Sequence, residues 1–138
     1  MRPMLPPDYR PSDDEEFMNA QQLEYFRQKL LRWRADLLAE STGTLQNLKE
    51  VNLAEPDITD RATLETDRSL ELRTRDRERK LISKIDAALS RIEDGSYGYC
   101  EETAEPIGLR RLEARPIATL SLEAQERHER MERTHRDE

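Results

Sequence analysis

A chain of 138 residues with 38% charged, 35% hydrophobic and 5% aromatic side chains cannot fill a large compact core. Its 23 basic and 30 acidic residues leave a net charge of -7, which argues against a sequence-independent grip on duplex DNA. No apolar run approaches the ~18 residues of a membrane span, residues 1–18 lack the apolar stretch of a secretory signal, and one cysteine, Cys100, excludes an internal disulfide framework and suits a reducing cytoplasm.

Long solvated helices are the economical solution left. Residues 1–18 carry Pro3, Pro6, Pro7, Pro11 and the acidic run Asp13–Glu16, and read as a flexible arm. Asn19 is expected to cap a first helix, with Gln22 as its capping-box partner and Met18 stapled onto Leu23. Leu23, Phe26, Leu30, Trp33 and Leu37 follow at steps of three and four, the seam of a helix pair. The seam fades near Ser41, Gly43 and Thr44 and resumes at Leu48 and Val51, so the helix is expected to reach about residue 52.

Pro56 ends that pattern, and Asp57 is expected to cap a second helix running to Asp94 and stopping at Gly95-Ser96. Its apolar stripe is densest late, at Leu81, Ile82, Ile85, Ala88, Leu89 and Ile92. Two such helices joined by about four residues fold back as an antiparallel helical hairpin, or coiled coil, over 19–94 with its tip at 53–62. Residues 95–138 then form a small module of turns and short strands, with a charged helix from about Ser121.

Charge is uneven along the hairpin. Residues 50–67 hold six acids and one base, whereas 68–84 hold seven bases and three acids. An acidic tip followed by a basic shaft is an electrostatic address, although a solvated helix laced with ion pairs explains the composition as well.

Asp57-Ile-Thr-Asp60-Arg-Ala62 resembles the tip motif of the DksA family, and Ser69–Ile82, Gly98-Tyr99-Cys100 and Ile107–Pro116 resemble further blocks of it in the same order. The resemblance implies a mainly α-helical hairpin projecting from a small globular module. It implies a transcription regulator that binds bacterial RNA polymerase through the secondary channel, acts with guanosine tetraphosphate in the starvation response, binds no DNA, and is not an enzyme. It points to Asp57, Asp60 and Ala62 at the coiled-coil tip, to Arg77 as a polymerase contact, and to Leu81, Lys84 and Arg115 for guanosine tetraphosphate. Where the family has a further lysine this chain has Gln125. A cytoplasmic monomer is expected.

Family members usually carry two CxxC pairs, whereas the matching positions here are Cys100, Thr103, Ser121 and Ala124. Zinc takes about four N, S or O ligands. One thiol does not supply them, and His128 and His135 both fall on the last helix. A degenerate, metal-free finger is therefore expected, with no tightly bound cofactor and with Ser121 capping the last helix.

Each reading has a plainer structural counterpart. Asp57 and Asp60 make a good acidic helix start; Arg77 and Lys84 suit a solvated face; Leu81 suits the core. Glu101 and Glu102 are expected to hold the Cys100 thiol protonated, against a redox role. The alternative function is a Gre-like transcript-cleavage factor, which 44 residues after the hairpin make too small for a second domain; a scaffold coiled coil ranks third.

Overall fold

The structure, a computed structural model, describes residues 2–53 and 58–137, with side-chain surroundings for 2–41 and 63–134. It is mainly helical: α1 Ala20–Leu53, α2 Ile58–Asp94, α3 Leu109–Ala114 and α4 Leu122–Asp137. Among the described residues the only bridge is the antiparallel pair Tyr99 and Pro106, so the expected short strands reduce to one contact. The backbone of α1 runs through Gly43 without a break.

The helix ends follow their sequence signals. Asn19 Oδ1 accepts the Gln22 backbone N–H at 2.8 Å, the expected cap. The reciprocal bond is displaced by one residue: Gln22 Oε1 accepts the Met18 N–H at 2.7 Å. At the far end Gly95, at φ 86°, lets the Ser96 and Tyr97 N–H groups return to the Arg91 carbonyl. The Asp94 carboxylate accepts both the Ser96 N–H at 2.9 Å and its hydroxyl at 2.6 Å. These bonds hold it below the usual carboxylate range.

Contacts group the chain into two compact units that cut across its sequential segments. Unit 1 is Met1–Leu30 with Ala87–Glu138. Its core gathers Phe26, Leu30, Ala88, Tyr97, Leu112 and Ala124, and Gln22 is fully buried as well. The Tyr97 hydroxyl donates to the Pro116 carbonyl at 2.8 Å, and burial raises its pKa. Lys29 Nζ reaches both the carbonyl and the carboxylate of Glu113, at 2.8 and 2.7 Å.

The arm has no helix or strand, as its prolines require, but it is tied down rather than free. Arg2 pairs with Glu93 at 2.5 Å, Tyr9 packs edge-on to Tyr25, and Phe17 packs edge-on to Tyr99. The Tyr9 hydroxyl donates to Glu15, and burial together with that carboxylate pushes the phenol up to about 12. Met18, at φ 54°, is buried over Gly98.

Unit 2 is Leu31–Asp86. The Arg34 guanidinium meets the Asp86 carboxylate at 2.7 Å, pairing the start of the α1 segment with the end of the α2 segment as an antiparallel hairpin requires. Leu37 and Ile85 are buried between them. The covered positions of α2 recur at steps of three and four, at 64, 68, 71, 75, 78, 82 and 85, the inward face of a coiled coil.

Candidate functional site

The tip expected to carry function lies largely beyond description. Asp57 is outside the described residues; Asp60 and Ala62 fall in the first two turns of α2, with side-chain surroundings also outside them. The basic shaft is well placed. Arg73, Arg77, Arg79, Lys80 and Lys84 are all exposed on α2, while Leu81 is half-buried beside the core residues of unit 2. Leu81 and Lys84 sit three apart on α2, in reach of one ligand.

Arg115 belongs to unit 1. It is exposed, and it closes α3 with its N–H donated to the Arg111 carbonyl at 2.7 Å. The sequence reading missed α3 itself, six residues between Gly108 and Arg115. Arg115 lines an open cleft of about 430 Å³ whose walls include Ile107, Arg110, Ala114 and Leu122. Arg111 also lines this cleft, but its Nε is spent on the Leu120 carbonyl at 3.0 Å. Gln125 turns its amide along α4 to Glu129 at 3.3 Å.

The four finger positions do converge. Cys100 is buried. Burial pushes its thiol up, but hydrogen bonds from the Thr103 hydroxyl and from the N–H groups of Ser121, Thr103 and Glu102 outweigh it and lower the pKa to about 6. The expectation that Glu101 and Glu102 keep the thiol protonated is therefore overturned. The reason is geometric: the backbone turns three N–H donors toward sulfur, while Glu102 is engaged by His128 and Glu101 lies at the edge of contact with Arg91, 4.0 Å away. Ser121 caps α4 as expected, its Oγ accepting the Ala124 N–H at 3.2 Å. Ala124 is fully buried.

This donor set does not fit zinc. A four-cysteine site needs four ligand atoms, and here one position is a methyl, one hydroxyl is a helix cap and only one position carries a thiol. Among the described residues no group of three or more His, Cys, Asp or Glu side chains is arranged to hold a metal. None of the described helices is long and apolar enough to cross a membrane.

Comparison with known proteins accords with this geometry. Residues 22–92 match the family model of the DnaK suppressor protein DksA, N-terminal domain. Residues 95–130 match that of the prokaryotic dksA/traR C4-type zinc finger, despite the missing thiols. The chain is 69% identical over 131 residues to the RNA polymerase-binding transcription factor DksA of Caulobacter vibrioides, covering 95% of this chain and 92% of that one. It is 47% identical over 115 residues to the Escherichia coli protein of the same name, covering 83% of this chain and 76% of that one. The solved structure of transcription factor DksA2 from Pseudomonas aeruginosa superposes with a TM-score of 0.80 at 46% identity, over 85% of this chain and 90% of that one. With a helix pair and a finger region that both match over their length, the chain belongs to the DksA family.

Proposed function

We propose that this protein binds bacterial RNA polymerase and regulates transcription initiation, as a regulator rather than an enzyme. The observation that carries this reading is the 69% identity, over nearly the whole chain, to a protein named for polymerase binding. In this reading the hairpin enters the secondary channel and Asp57, Asp60 and Ala62 reach the catalytic region. Arg77 and the neighbouring exposed bases of α2 meet an acidic rim, a contact their charge suits. Leu81, Lys84 and Arg115 bind guanosine tetraphosphate at the polymerase interface, since ammonium and guanidinium groups match phosphate oxygens. The net charge of -7 speaks for action without DNA contact. The finger folds without zinc, in a cytoplasmic monomer.

Transcription in vitro from a ribosomal RNA promoter, with and without guanosine tetraphosphate, tests the reading. Inhibition that the nucleotide deepens is expected. Unchanged output together with no binding to polymerase overturns it.

A further inference from the structure

The inward face of α2 changes character along its length. Toward Asp86 it is aliphatic, with Ile82 and Ile85 covered. In the preceding turns the covered positions are Arg68, Glu71, Arg75 and Glu78, and Glu78 is only 7% exposed. The leucines of the same stretch point the other way: Leu70 is 53% exposed and Leu72 45%. An apolar residue placed outside and a carboxylate placed inside, in one stretch of helix, invert the pattern that closes a coiled coil.

Both carboxylates, buried at Glu78 and half-buried at Glu71, are also poorly satisfied. Glu71 Oε2 and Glu78 Oε2 are shielded from solvent and have no hydrogen-bond partner among the described residues. A buried oxygen that has lost water without gaining a donor favours the open state, in which it is rehydrated. In the same segment the Thr74 hydroxyl donates to the Leu70 carbonyl at 3.0 Å, the back-bond that loosens and bends helices. The polar seam with its orphaned carboxylate oxygens and the back-bonded threonine fall in one stretch of α2, 68–78.

We propose that the charged row Arg68–Glu71–Arg75–Glu78 divides the hairpin into an aliphatic part that stays closed and a distal part that opens locally, letting the tip adjust its path as it docks. The local opening is a property of the chain alone; its use in docking rests on the polymerase reading above. Energetic separation of this kind is how proteins make mobile binding elements on a stable base.

Hydrogen exchange on the full chain tests the first half. Amides of 64–78 are expected to exchange at least ~10-fold faster than those of 82–92, a difference of about 1.4 kcal/mol in opening free energy. The double variant Glu71→Leu/Glu78→Leu, which continues the aliphatic seam, should slow exchange in 64–78 by ~10-fold or more and leave 97–124 unchanged. Glu78→Gln, which keeps shape and removes charge, should move exchange the same way by a smaller factor and decides the matter if the leucine variant self-associates. Equal exchange on both sides of residue 80, or variants that exchange as fast as the parent, overturn the proposal. The second half is read as open-complex lifetime: the leucine variant should bind polymerase yet alter that lifetime less than the parent. If the parent does not bind polymerase at all, the functional reading fails while the exchange result stands. If the stiffened variant regulates fully, the docking role is refuted.

Discussion

A Cβ placed on Gly98 would lie 2.8 Å from Met18 Cγ, so the end of the N-terminal arm is seated on the turn that leads into the finger. Gly98 also stands at φ 93°, a conformation that a side chain makes costly. Gly98→Ala should therefore destabilise the fold by about 1–3 kcal/mol, read as a lower denaturant midpoint. Part of that loss should disappear in a Met18→Ala background, which removes the clash and leaves the backbone strain. Full additivity would show that the arm does not press on this turn.

The donor set at Cys100, Thr103, Ser121 and Ala124 does not supply the four ligands of a structural zinc, so folding without metal is the expectation. Thermal melts with and without a strong chelator should coincide, and elemental analysis should find far less than one zinc per chain. A lower melting temperature on chelation would reverse this, because binding free energy at a structural metal site is folding free energy.

The Cys100 thiol, held at about 6 against an ordinary 9.0, makes stability depend on pH. Because the folded pKa lies below the unfolded one, its contribution is complete above pH 9 and is lost as pH falls through about 6. Unfolding midpoints should therefore rise between pH 6 and pH 9 in the parent, and this rise should flatten in Cys100→Ser. Thiolate absorbance in the folded protein should titrate near pH 6. A transition near the ordinary thiol value would show that the N–H donors do not hold the anion.

Asp60 and Arg77 are expected to divide labour. Asp60→Asn keeps size and much of the ability to start a helix, so folding should change by only a few tenths of a kcal/mol. Regulation should weaken while polymerase binding persists. Arg77→Glu reverses a charge that is exposed, so it should lower affinity, more at low salt than at high salt. Equal loss of binding in both variants would refute the division.

Transcript cleavage separates regulator from enzyme. Metal-assisted hydrolysis needs carboxylates that hold a metal against the scissile phosphate with a water in line. Asp57 is expected to cap the second helix with its carboxylate, which would leave at most Asp60 for a metal. No shortening of RNA in backtracked complexes is expected, alongside a changed open-complex lifetime. Rapid hairpin-dependent shortening would bring the cleavage-factor reading forward.

What depends on neighbours along the chain was legible in the residues alone. The three-and-four spacing of Leu23, Phe26, Leu30, Trp33 and Leu37 marked a helix that begins within a residue of its expected start. Asn19, Ser121 and Gly95 act locally, on N–H and C=O groups a few residues away, so the ends they mark were legible too. Tertiary structure decided what depends on residues far apart in the chain. The arm is tied down because Arg2 meets Glu93 and Phe17 meets Tyr99, contacts that no local pattern records. The Cys100 thiol is lowered first by the Thr103 hydroxyl and then by the N–H of Ser121, twenty-one residues later in numbering, a donor that no local pattern records. Glu78 reads from composition as one more solvated charge, yet it is buried, because a seven-residue repeat assigns positions to the inward face whatever side chain occupies them.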